Sequence, residues 1–202
     1  MQLYDGQAPN PWRVRVFLHE KGLEIPMKTL QIFDGDTRAP DFLKLNSLGE
    51  LPVLELDDGN VITESVAICR YLETLTPEPA LFGSTPLEVG QIEMWHRRME
   101  LNVVSVIGSI GLHTIPFFAE KVEQVPEYAE TLFRALPRKW QWLDEELADG
   151  RSFLAGEKFS VADITGMMAL KICDILEQSI GSEYSHVKAW EDKVRGRPSW
   201  NA

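Results

Sequence analysis

A chain of 202 residues, 44% of them hydrophobic, is long enough to bury a sizeable core as one domain or two modest ones. Its net charge of -11 leaves no basic face for neutralising phosphates, so nucleic acid is excluded as an expected partner. No run of about 18 apolar residues and no basic-then-apolar leader occurs, so the chain reads as a cytoplasmic protein without membrane contact.

In chain order, Gln2-Leu3-Tyr4 opens as a short strand. Asn10-Pro11 then offers an N-cap and a first-turn proline for a helix carrying Val14, Phe17 and Leu18 on one face, closed by Gly22. Arg13 with Arg15, like Arg97 with Arg98, reads as the solvated edge of a helix. Pro26 to Ile32 reads as a second strand and Asp41 to Leu45 as a short helix. Pro52 to Leu56 and Val61-Ile62 form a hairpin across Asp57-Asp58-Gly59-Asn60, and a helix with Val66, Ile68, Cys69, Tyr71 and Leu72 follows. The order β-α-β-α-β-β-α is that of a thioredoxin-like domain, ending near residue 76.

Residues 77–85, with Pro-Glu-Pro and Gly-Ser-Thr, carry a linker composition, and beyond them the period is helical. Pro86 to about His113 bears Ile92, Trp95, Met99, Val103, Val106, Ile107 and Ile110 at three- and four-residue steps. Pro126 to Leu147 carries Leu132, Leu136, Trp140 and Leu143. Ser160 and Asp163 have the spacing of a capping box ahead of Ile164 to Leu176, and His186 to Val194 completes a helical domain over residues 86–202. The expected fold is thus α/β plus all-α, a thioredoxin-like domain over 1–76 and a C-terminal helical bundle. Cys69 and Cys173 lie far apart in helical patterns and read as reduced core thiols. The four histidines never fall at ligand spacing, so no metal is expected.

Two devices sit on either side of the hairpin. Leu51-Pro52-Val53 steps into a strand, either as an ordinary strand-opening proline or with a cis bond that turns the backbone of Val53 toward a cleft, where an extended peptide can pair with it. Glu64-Ser65 stands where the next helix begins. Ser65 can cap that helix, the helix end attracts a carboxylate, and Glu64 offers a partner to an ammonium. Together they suit a free amino-acid end followed by a short peptide, the shape of glutathione.

With these motifs the chain resembles the cytosolic glutathione transferases over almost its whole length. Asn46-Ser47-Leu48-Gly49-Glu50-Leu51-Pro52-Val53-Leu54 is similar to the family's strand-entry motif, and Glu64-Ser65-Val66-Ala67-Ile68 to its γ-glutamyl motif. Gly156 through Asp163 resembles its capping segment, and Trp190 through Ser199 its tail. The resemblance implies glutathione as co-substrate, held by Asn10, Arg38, Leu51, Val53, Glu64 and Ser65, and a homodimer. It also implies a helical domain that shapes a pocket for a small hydrophobic electrophile or a peroxide.

Family members place a hydroxyl or thiol near the start of the first helix. Here Ala8-Pro9-Asn10 is most similar to the Thr-Pro-Asn of bacterial disulfide-bond reductase (Nu-like) members, with the hydroxyl replaced by Ala8. Asn10 either only caps the helix or donates to the sulfur. One hydrogen bond to a charged group is worth about 1.5–3 kcal/mol, enough to lower a thiol pKa by about one to two units. Tyr4 is a rival hydroxyl, expected to pack in the sheet. Thr37 and Glu50 occupy the places where relatives present groups to the glycine carboxylate, and Arg38 is the substitute. Trp12, His113, Phe117 and Phe118 are the electrophile-pocket candidates, the last three around Pro116, where the helical period breaks. The expected activity is conjugation of glutathione to small apolar electrophiles, with peroxide or disulfide reduction beside it. The alternative is a glutathione-binding or interaction protein that kept the fold.

Overall fold

The computed structural model describes residues 1–202, which divide into two units, Met1–Leu81 with Pro198–Ala202 and Phe82–Arg197. In the first, β1 (Gln2–Asp5) lies inside a four-stranded sheet of order β2-β1-β3-β4. It runs parallel to β2 (Met27–Thr29) and antiparallel to β3 (Val53–Glu55), which pairs in turn with β4 (Val61–Thr63). The interior strands carry the fully buried Leu3, Val53 and Leu54, as strands covered on both faces should. β2 is shorter than its apolar pattern suggests. It is an edge strand with three exposed residues, and after Leu30 N–H reaches Asp5 C=O the chain turns at Gln31–Gly35, Gly35 taking φ 85°.

Helix α1 (Pro9–Lys21) is buried on most of its surface and ends at Gly22 in the left-handed region. It packs beside α3 (Ser65–Leu75), while α2 (Pro40–Leu45) leads toward the loop before β3. Buried Lys21 pairs with Glu73 at 2.5 Å and donates to the carbonyls of Pro77 and Pro79, so its desolvated ammonium is satisfied. Pro198–Ala202, left with the helices by the sequence pattern, folds against α1. Trp200 meets Trp12 edge-on at 5.3 Å, and Ser199 Oγ donates to Glu20.

The second unit holds α4 (Pro86–Met99), α5 (Ser105–Thr114), α6 (Pro126–Leu147), α7 (Val161–Ile175) and α8 (Ser185–Arg195). α4 and α5 read as one helix in sequence, but Glu100–Val104 forms a π turn between them. The Glu100 carbonyl accepts both the Ser105 N–H and, at 2.7 Å, the Ser105 hydroxyl, which supports the wider turn. α7 is buried nearly throughout. Asp163 in its first turn accepts from Ser160 N–H, Ser160 Oγ, Leu154 N–H and Trp190 Nε1. Gly166 is what lets Trp190 approach, since a Cβ there would meet the indole at 2.6 Å. No helix is long and apolar enough to cross a membrane, and no cluster of His, Cys, Asp or Glu could hold a metal ion.

Candidate active site

Helix α3 begins differently from the sequence expectation. Ser65 is its first helical residue rather than its cap, and the N-cap is Glu64, exposed, at φ 66° and ψ 116°. A non-glycine residue at that φ is strained, and such strain gathers at functional positions. The Glu64 side chain makes no capping bond at this end. The first-turn N–H groups of Ser65, Val66 and Ala67 therefore form an uncapped donor cluster at the positive end of the helix, beside an exposed carboxylate. An amino-acid end, carboxylate to the amides and ammonium to Glu64, matches this pair of charges.

Arg13 corrects a second expectation. It is not a solvated helix edge: it is 3% exposed, and its Nη1 donates to Ser65 Oγ at 3.0 Å. Its neighbour in the pattern, Arg15, is not a solvated edge either: it is partly buried and pairs with the buried Asp5 at 2.5 Å.

The start of α1 is also open. The N-cap is Ala8, which has no side chain to cap with, and Asn10 is the second helical residue rather than the cap. The first three helical residues are Pro9, Asn10 and Pro11, so Asn10 alone among them has an N–H. Its exposed side-chain amide adds further donors to the same helix end. Tyr4 is not a rival: its hydroxyl donates to Glu55 Oε2 at 2.7 Å, and that bond, with burial and the Glu55 charge, raises its pKa. Burial pushes both Cys69 and Cys173 up to about 12, so neither is a nucleophile at neutral pH.

The Leu51-Pro52 bond is cis. Val53, however, lies between Tyr4 of β1 and Thr63 of β4, fully buried. With a strand on either side, its backbone cannot pair with an added peptide, and that expectation is corrected. Leu51 precedes the bond outside the strand, so its backbone is the one clear of the ladder. Asn46 shapes this loop by accepting from Leu48 N–H and donating to Glu50 C=O. Arg38 Nη1 donates to Leu48 C=O at 3.0 Å, which sets its guanidinium beside the same loop. Gly49 has φ 64°, and a Cβ there would strike Arg38 Nη1 at 2.6 Å, so glycine admits the arginine. Glu50 is exposed.

Of the pocket candidates, Trp12 is buried against Trp200. Phe117 and Phe118 sit half-buried in a single 3₁₀ turn after α5, edge to face at 5.2 Å, with Lys121 Nζ 4.1 Å from the Phe117 ring centre. His113 Nδ1 accepts from Val125 N–H at 3.1 Å, which leaves the proton on Nε2. Arg13 is the partner of Ser65 that the sequence did not reveal, since nothing local distinguishes a buried arginine from a solvated one on this helix.

The first unit is a thioredoxin-like sheet with helix starts at α1 and α3 that their own N-cap side chains leave unbonded, and a helical unit follows it in the chain. Models of the glutathione S-transferase N-terminal and C-terminal domains match residues 8–75 and 95–198. Glutathione S-transferase 2 of Saccharomyces cerevisiae is 34% identical over 204 residues, spanning 98% of this chain and 87% of its own. A glutathione S-transferase domain-containing protein from Marinobacter aquaeolei superposes with a TM-score of 0.91 at 33% identity, covering 99% of this chain and 100% of that one. Gtt2 from Saccharomyces cerevisiae does so at 0.90 and 33% identity, covering 100% and 99%. The chain belongs to the glutathione S-transferase family, an enzyme whose co-substrate is glutathione.

Proposed function

We propose that this protein joins the sulfur of glutathione to small apolar electrophiles, and that the same activated thiol reduces peroxides or disulfides. The observation that carries this reading is the pair of open helix starts in one unit, at α1 and α3. The γ-glutamyl carboxylate sits on the amides of Ser65–Ala67, its ammonium on Glu64, and the cysteinyl backbone along Leu51. Arg38 takes the glycine carboxylate, a charge that Glu50 alone would repel. The sulfur lies at the start of α1, where the Asn10 N–H and side-chain amide, aided by the helix dipole, favour thiolate over thiol. An amide accepts no proton here, so the thiol proton leaves to water or to the tripeptide's own carboxylate. The thiolate then forms the S–C bond as the electrophile's leaving group departs with the electron pair. Within the helical unit, Phe117, Phe118 and the Nε2–H of His113 offer apolar surface and a donor suited to a small apolar molecule.

Asn10→Ala tests the sulfur assignment. Glutathione binding by calorimetry should persist, while turnover of both chlorodinitrobenzene and hydroxyethyl disulfide should fall roughly tenfold or more at pH 7. Unchanged rates on both substrates would remove Asn10 from the mechanism. No heat with glutathione and no turnover in the unmodified protein would instead favour an interaction protein that kept the fold.

The cytoplasm suits two buried free thiols and a soluble co-substrate. A homodimer completes the proposal. Leu87, Met94 and Leu101 stand 69%, 41% and 56% exposed at seven-residue steps along α4 and the π turn, an apolar stripe suited to its own copy. Sedimentation should return twice the 22.9 kDa chain mass, and a monomer at that mass would reject it.

A further inference from the structure

The geometry points to Arg13 as a positioning residue that makes the site selective for a ligand with an α-carboxylate, an inference resting on the glutathione reading above. Arg13 belongs to α1, three residues after Asn10, yet its Nη1 reaches Ser65 Oγ at the start of α3, at 3.0 Å. Both residues are buried, at 3% and 5% exposure.

A serine hydroxyl has one proton to give and two lone pairs to accept with, whereas a guanidinium only donates. Once Arg13 occupies a lone pair of Ser65 Oγ, the hydroxyl proton cannot point back at Arg13. It is left to donate elsewhere, and Ser65 stands beside the uncapped amides of α3. Arg13 thereby fixes Ser65 as a donor aimed at an anion, and polarises the O–H by drawing on its oxygen. The fixed positive charge of the guanidinium also lies behind the donor cluster rather than in solvent, where it attracts a carboxylate with little screening. An unbranched amine in place of the amino-acid end would use Glu64 but gain nothing from Arg13 or Ser65.

The test compares calorimetric binding of glutathione with that of 4-aminobutyryl-cysteinyl-glycine, which keeps the amine and loses only the α-carboxylate. The unmodified protein should prefer glutathione strongly. In Arg13→Met that preference should shrink by roughly tenfold, with the affinity for the decarboxylated analogue unchanged. Ser65→Ala should reduce it similarly, and the double variant should lose little more than either alone, as for two residues acting as one device. Arg13→Gln, neutral and nearly as long, serves the same comparison if the methionine variant does not fold. A folded Arg13 variant with its preference intact would overturn the inference, as would one that binds both ligands more weakly by the same factor, since that is the mark of a merely structural role. An unmodified protein that binds neither ligand would instead overturn the glutathione reading and the inference with it.

Discussion

Three helix starts of the helical unit and two of the thioredoxin-like unit are finished in opposite ways. In the helical unit α4 and α7 are closed by capping boxes, Thr85 with Glu88 and Ser160 with Asp163. The start of α8 is closed by Asp144, whose carboxylate accepts the His186 and Val187 N–H groups. In the thioredoxin-like unit α1 starts after Ala8 and α3 after Glu64, and neither cap makes a side-chain bond. A closed start satisfies orphan amides and stabilises the fold; an open one leaves them for a ligand. On the proposed function, the difference marks where stability is given up for binding, and three substitutions are placed to break or sharpen it.

The largest effect belongs to the buried closed end. Asp163→Ala strands three N–H donors and a hydroxyl in the interior of the helical unit, and urea unfolding should show a loss on the order of 4 kcal/mol. Glutathione affinity per folded molecule should stay unchanged, because Asp163 is not among the residues proposed to hold glutathione.

Closing an open end should do the reverse. Ala8→Asp supplies a cap whose carboxylate can take the Asn10 N–H, adding about 1 kcal/mol of stability in the same unfolding measurement. It also sets a negative charge beside the place proposed for the sulfur. The pH profile of chlorodinitrobenzene conjugation should then move to higher pH, with rates at pH 7 roughly tenfold lower. Higher stability with an unmoved profile would sever the link between the open end and thiolate.

The smallest effect is a pH dependence at the exposed closed end. Glu88 accepts from the Ser84 hydroxyl first, then from the Ser84 N–H, with smaller help from Lys158 and Thr85 N–H. Against a slight opposing effect of burial, these bonds hold its carboxyl at about 2. A pKa depressed on folding means the unfolded chain binds the proton more readily. The stabilisation is therefore full above the unfolded value of about 4.3 and lost as pH falls through about 2. Unfolding of Glu88→Gln across pH 6 to 2 should lack this part of the acid loss, while the unmodified protein should show it.

Most of the fold is legible in the sequence because its signals are local. Pro126 begins and Leu147 ends α6 as the apolar period indicates, and Ser160 with Asp163 forms the expected capping box. The hairpin at Asp57–Asn60 and the left-handed Gly22 follow from turn chemistry alone. The π turn at Glu100–Val104 is invisible to periodicity, because one extra residue shifts the apolar stripe without interrupting it. Asn10 and Ser65 lie two positions and one position inside their helices rather than at the caps, since proline and serine mark a helix start only to within a residue or two.

What the sequence determined by itself is the order of elements, the Glu64-Ser65 pair across a hairpin from Leu51-Pro52, and the absence of a protein nucleophile beside the first helix. Those depend on residue type and spacing along the chain. Only the tertiary structure decided that Val53 is enclosed by strands on both sides, that Tyr4 is tied to Glu55, and that Arg13 reaches across to Ser65. Each depends on which element packs beside which. The pairing of Arg13 with Ser65 joins residues 52 positions apart, a relation that no local pattern encodes.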